Sequence, residues 1–288
     1  GMSVFIKSIP YNFYGWLAVI ACGLFAFQII PNFGPMKKAE ERAKNEGKVI
    51  RDGATPLAGA ELDEIKPIPG KPTHMLLHLV IPVVMLISIA VGTFVIFGGV
   101  KILEAFFAVV MYQSIVMALG GYFKSVKDFV ETATAGIKAV LPAIFILALA
   151  YCINTISKSL GAQVYVMEVT KTWMTPAMLP AITFAAGACI SFFTGTSWGT
   201  YALLVPFSIP IAFNLSGGNV GPIVLITVGA IMGGGLFGDH CSPVSDTTCL
   251  SSFGAASDHM DHVVTQLPYA LLTAVISFGL FVVLGMMI

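Results

Sequence analysis

The stretch GDHCSPVSDTTCLSS, Gly238–Ser252, follows directly on the apolar run VLITVGAIMGGGLF. It holds two carboxylates, a histidine and a crowd of hydroxyls. Asp239 and Asp246 are the only acids between Glu168 and Asp258. A carboxylate at membrane depth is expensive and marks a functional site by default. Burial favours its protonated form and a bound cation favours its ionised form. Such a group holds a proton or a cation but not both well, which is the minimal chemistry of a proton–cation exchanger. Around the two acids, Ser242, Ser245, Thr247 and Thr248 offer hydroxyl oxygens. Gly238 lets the backbone approach a neighbour or leave a helix. Pro243 forbids helical hydrogen bonding across the segment, and Ser245 is placed to cap a new half-helix. His240 is suited to relay protons near neutral pH, or equally to act as a neutral hydrogen-bonding residue.

A second interruption, TGTSWGT at Thr194–Thr200, splits another apolar run. Gly195 and Gly199 permit turns closed to other residues. Thr194, Thr196, Ser197 and Thr200 supply hydroxyls and caps. Hydroxyls and freed carbonyls at a helix break are the hard ligands a small cation requires; a plain hydroxyl-capped loop is the alternative. Trp198, between two glycines, reads as a gating or packing residue at a tip rather than as an interfacial anchor.

These interruptions need apolar elements to hold them. The chain has 288 residues, 57% hydrophobic and only 10% charged, against about 25% charged in soluble domains. That composition predicts an all-α polytopic membrane protein with at least six apolar stretches near the ~20 residues a span needs. Net charge is zero, which argues against a nucleic-acid partner. Spans are expected at 13–30, 76–98, 102–120, 139–156 and 263–288. The arms AMLPAITFAAGACISFF and YALLVPFSIPIAF, each short for a span and each carrying proline, suggest a re-entrant hairpin at about 176–213 or one broken helix. A broken helix is expected at about 221–257.

Residues 1–35 are thus expected to hold one span, and 75–288 the remaining apolar elements. Between them, 36–74 carry eight of the fifteen Lys and Arg. This is a solvated connector, opening with a short helix at 36–46, and the positive-inside rule places it in the cytoplasm. KSVKDFVETATAGIK reads as an interfacial stretch, with Lys124, Lys127, Lys138 and Lys158 snorkelling to the interface, and Glu104 is interfacial. The five cysteines, without CxxC spacing, read as small buried thiols. Asp258, His259, Asp261 and His262 lack the companions of a metal motif and read as the polar start of the last helix. His74 and His78 likewise precede a span. No cleavable signal peptide is expected, because GMSVFIKSIPYNFYGW lacks a basic region leading into an apolar one. Gly1 before Met2 reads as an added residue or the start of a fragment.

FGDHCSPVSDTTCLSSFGA, followed by DHVVTQLPYA, closely resembles the signature of NhaC-type Na+/H+ antiporters of the ion transporter superfamily. FFTGTSWGTYALLVPFSIPIA resembles that family's other half-site, and PYNFYGWLAV with NFGPMKKAEERA the segment before its second repeat. The resemblance covers nearly the whole chain. It implies an inner-membrane, multi-pass secondary transporter of two inverted repeats, each with a re-entrant hairpin and a broken helix. The family's polar motif residues fall on Asp239, Ser242, Ser245, Asp246, Thr247 and Thr248, with Asp239 and Asp246 favoured as the Na+-binding acids. His240 stands where some members have asparagine. The family has two repeats; residues 75–288 resemble the later one, and 1–35 the span preceding it. The chain is therefore expected to be the C-terminal part of a longer protein, a truncated frame, or a half-length transporter that dimerises. Membrane lipid, Na+ and H+ are the implied partners, with no cofactor.

A second reading keeps the fold and carries an amino acid or carboxylate with Na+ or H+, its carboxylate bound at half-helix N-termini. No Arg or Lys lies in either break to favour an anion. An intramembrane hydrolase fits poorly. The two aspartates share one loop, GLFGD lacks GxGD spacing, and no nucleophile–base pair is evident.

Overall fold

The computed structural model describes residues 2–56, 71, 74–161, 165, 168–169, 175 and 177–288. Most of the connector at 161–176 and residues 57–70 of the polar loop fall outside that range. Regular structure within it is entirely helical, in two compact units, 60–139 and 1–59 with 140–288. Among the described residues, five helices are long and apolar enough to cross a membrane, six if one bent pair is taken together. The chain is a multi-pass membrane protein.

The larger unit opens with α1 (Met2–Ser8) and a 3-10 turn, Ile9–Tyr11, before α2 (Phe13–Ala26). The expected single span at 13–30 is corrected here. Fourteen helical residues reach about 21 Å, short of the ~30 Å hydrocarbon core. Together with Ser3–Tyr11, across a 51° bend, α2 has the length and apolarity of a broken span or a re-entrant loop. Pro10 cannot donate into the 3-10 turn, and Asn12 restarts the helix by accepting the Gly15 N–H at 3.2 Å. The charged α3 (Gly34–Glu46) matches the expected loop helix and stops at Gly47, φ +69°.

In the smaller unit a π-turn, Leu76–Val80, runs into α4 (Ile81–Phe97), and α5 (Ile102–Leu119) follows. Glu104 is in the first turn of α5, exposed, 4.0 Å from Lys101. α6 (Val126–Ser159) is continuous, so the expected interfacial stretch and the span after it are one helix.

α7 (Leu179–Thr194), α8 (Ser197–Leu215), α9 (Pro222–Cys241), α10 (Asp246–Gly254) and α11 (His259–Met287) complete the larger unit. α9 is its axis. It is apolar all round and mostly enclosed, as a membrane-core helix should be. Phe237 and Ala230 of α9 share a cluster with Tyr14, Phe184 and Phe281 from α2, α7 and α11. Small residues let the α7 and α9 backbones approach closely, with Gly234 set against Gly187 and the Phe184 carbonyl.

Cys241 and Cys249 are buried as expected, but Cys22, Cys152 and Cys189 are exposed, and none of the five is in a disulfide among the described residues. The burial expectation fails because a membrane protein's outer surface is apolar, so a small apolar residue gains nothing by facing inward.

Part of the polar loop is clipped to the start of α11. Asp258 accepts the Asp261 N–H at 2.9 Å as N-cap and the Thr55 N–H at 2.8 Å. Arg51 pairs with Asp261 at 3.1 Å. Partial burial alone would push the Asp258 carboxyl up. The N–H groups of Asp261, Thr55 and Met260 and the Arg51 charge outweigh it and hold it below the usual carboxylate range. A depressed carboxyl stabilises the clip above its unfolded pKa of about 3.9, and that contribution is lost as pH falls through the folded value. Losing such a cap costs about 1 kcal/mol, a roughly fivefold rise in the open population. Asp258→Ala should therefore speed tryptic cleavage at Arg51 about fivefold at pH 7; an unchanged rate would show the clip to be idle.

Candidate functional site

The two interruptions meet. α7 and α8 fold back as a helical hairpin, since Thr183 hydrogen-bonds Ser208 at 3.3 Å and Gly187 faces Leu204, pairs symmetric about the turn. The first arm has 16 residues, but the second has 19 and is long enough to span, longer than the sequence suggested. Gly195 closes α7 in the left-handed region, φ +67°, where L side chains are strained. A Cβ there would lie 2.6 Å from the Val244 carbonyl carbon and 2.9 Å from the Ser245 nitrogen. The tip of the hairpin is thus seated on the backbone of the break, residues 242–245. Ser242 adds a second tie, its hydroxyl donating to the Phe192 carbonyl at 2.5 Å. Gly238 provides a third close approach, to the Ser191–Phe192 backbone of α7.

Pro243 explains the break at the level of one hydrogen bond. In a continuous helix the Asp239 carbonyl would accept the N–H four residues on, but residue 243 is proline and has none. Three hydroxyls converge on that orphan oxygen: Ser245, Thr247 at 2.5 Å and Thr248 at 3.2 Å. Ser245 and Thr247 also lie 2.9 Å apart. Ser245 precedes α10 as expected, but its hydroxyl makes no capping bond, because the orphan carbonyl takes it. The Asp239 carboxylate faces the N–H and hydroxyl of Ser197, at the N-terminus of α8, and the Ser245 hydroxyl, and it feels the Asp246 charge. Helix N-termini stabilise negative charge, so the start of α8 favours the Asp239 carboxylate. Asp246 opens α10 and accepts the Thr247 N–H at 2.8 Å.

Other candidates serve as scaffolding. Thr194 bonds back to Ile190 at 2.7 Å, and Thr196 caps α8 by accepting the Gly199 N–H at 3.4 Å. Trp198 corrects the packing reading: it is 81% exposed and points outward, with Tyr201 edge-on to it. His240 is stacked on Tyr14, whose hydroxyl is 3.0 Å from Nε2, while Nδ1 reaches the Leu236 carbonyl at 3.1 Å. It lines a cavity of about 460 Å³ with Thr247, Ser251, His262, Gln266 and Glu40. The Gln266 carbonyl oxygen is buried and has no hydrogen-bond partner. Among the described residues, no group of three or more His, Cys, Asp or Glu could hold a metal ion. Tyr201, which senses the Asp239 charge, was missed in the sequence, though it falls one turn after Ser197 on the same helix.

A helical hairpin seated on a broken, acid-bearing helix inside a multi-pass bundle is the arrangement of a membrane transporter's ion site. The chain belongs to the Na+/H+ antiporter family, whose model matches residues 1–286. It is 33% identical over 147 residues to an arginine/ornithine antiporter of Halobacterium salinarum, covering 51% of this chain and 29% of that one. A malate-2H+/Na+-lactate antiporter of Bacillus subtilis is 31% identical over 176 residues, 60% of this chain and 36% of its own. The Na+/H+ antiporter NhaC of Alkalihalophilus pseudofirmus is 29% identical over 175 residues, with the same two shares. The chain thus spans about a third of the length of these relatives. No solved structure matches it.

Proposed function

We propose that this chain carries the cation half-site of a Na+/H+ antiporter of the inner membrane, and that α7–α8 is a re-entrant hairpin in one of two inverted repeats. A second repeat or a second copy of the chain completes the transporter. The observation that carries the reading is the convergence at the break. The Asp239 carbonyl, the Ser245, Thr247 and Thr248 hydroxyls and the Asp239 and Asp246 carboxylates form an oxygen-only cluster suited to a hard cation. Protons and Na+ compete for the carboxylates, and the ties of the tip to the break transmit occupancy to the packing of α7 on α9.

Coupled transport of an amino acid or carboxylate is the second reading, favoured by the 460 Å³ cavity beside Thr247, larger than an ion needs. Two relatives are named for organic solutes. Against an anion, both half-helix N-termini already have their own acid, Asp239 at α8 and Asp246 at α10. The test is a respiration-driven pH gradient in everted vesicles carrying the protein. Na+ should collapse it; indifference to Na+ at every pH would pass the site to the organic-solute reading.

A further inference from the structure

His259 opens α11, is 8% exposed, and was read in the sequence as part of a polar cap. The cap is Asp258, whose own ties to Asp261 and Thr55 fix how α11 begins. His259 does something else. Its Nε2 lies 2.7 Å from the Pro243 carbonyl, inside the break, and its Nδ1 3.0 Å from the Ser252 hydroxyl, near the end of α10. A carbonyl accepts and cannot donate, so Nε2 carries the hydrogen, and in the neutral ring Nδ1 is left as an acceptor that shares the single Ser252 hydroxyl proton with the Cys249 carbonyl, 2.8 Å from the same oxygen. Ser252 is fully buried, which holds the ring in place. One imidazole therefore joins three pieces of chain: the start of α11, the end of α10 and the break.

The break is thereby held at two successive points. Gly195 seats against Val244 and Ser245, and His259 pins the carbonyl of the preceding residue. Ser245 and Thr247, which follow at once, deliver two of the hydroxyls on the Asp239 carbonyl. Rotation of the 243–244 peptide would swing those hydroxyls away. We infer that His259 is a positioning residue of the cation site, holding the Pro243 carbonyl so that the hydroxyls of Ser245 and Thr247 converge on Asp239. The inference rests on the exchange reading above.

Substitutions separate this role from plain packing, because glutamine reaches where Nε2 sits and asparagine only where Nδ1 does. Na+ affinity of the purified protein in detergent, from 22Na+ binding, should fall on the order of tenfold in His259→Asn, which leaves the half-buried Pro243 carbonyl without this partner. His259→Gln should stay within about twofold of wild type. If His259→Asn fails to fold, Ser252→Ala takes its place; it keeps the ring but frees it to turn, and should weaken Na+ by about threefold. Wild-type affinity in both Asn and Ala variants, or equal loss in Asn and Gln, would overturn the role. Absence of Na+ binding by the wild type would instead overturn the exchange reading itself.

Discussion

Asp239→Asn should remove the Na+ response of the vesicles while leaving the protein folded. Asparagine keeps the side-chain shape and still accepts the Ser197 N–H, so the tip stays on the break. What goes is one negative charge at the partly buried site proposed to hold the cation. At an effective dielectric of about 20, a unit charge a few ångströms away contributes on the order of 4 kcal/mol. Allowing for water that fills in, about 3 kcal/mol is lost, roughly a hundredfold in Na+ affinity. Asp246→Asn should act in the same direction, since its carboxylate is near enough to be felt by Asp239. Gradient collapse by Na+ at wild-type concentrations in both variants would exclude these acids as ligands.

Gly195→Ala should damage the site strongly while removing no chemistry. Two penalties combine. The left-handed backbone costs a β-carbon about 1–2 kcal/mol, and the new methyl group would meet the Val244 and Ser245 backbone, which cannot rotate away like a side chain. Gly47→Ala separates the two, because Gly47 has nearly the same dihedral, φ +69°, with nothing within 4 Å of a Cβ. The Gly47 variant should lose a few degrees of Tm and keep Na+ affinity. The Gly195 variant should lose Tm and at least about tenfold in Na+ affinity, as tip and break part. Equal behaviour of the two would mean that the seating of the tip does not matter to the site.

Much of this was legible in the residues. Apolar length alone predicts α4, α5 and α11, because a lipid-facing helix must be apolar on every side and no pattern need be resolved. Pro243 beside two isolated acids announces the break, and Gly195 the tip. What the sequence could not give is which groups meet. That α8 aims its N-terminus at Asp239 depends on how the hairpin docks, and no local spacing encodes that. Ser245 was expected to cap α10, yet a hydroxyl chooses among acceptors in space, and the carbonyl orphaned by Pro243 won. His259 looked like part of a surface cluster because its partners, Pro243 and Ser252, are 16 and seven residues away. The bend before α2 and the continuity of α6 escaped for a related reason. A window of hydropathy registers where a chain is apolar, but not where its backbone hydrogen bonds stop.

The central claim is that Na+ and protons compete for the same carboxylates at the break. Its most direct test is proton release on addition of Na+ to the purified protein in weakly buffered detergent, at a pH where the site is partly protonated. Na+ binding should eject protons from the wild type in proportion to occupancy, choline should eject none, and Asp239→Asn with Asp246→Asn should abolish the release. Na+ binding with no proton released at any pH, or release that survives in the double variant, would contradict it.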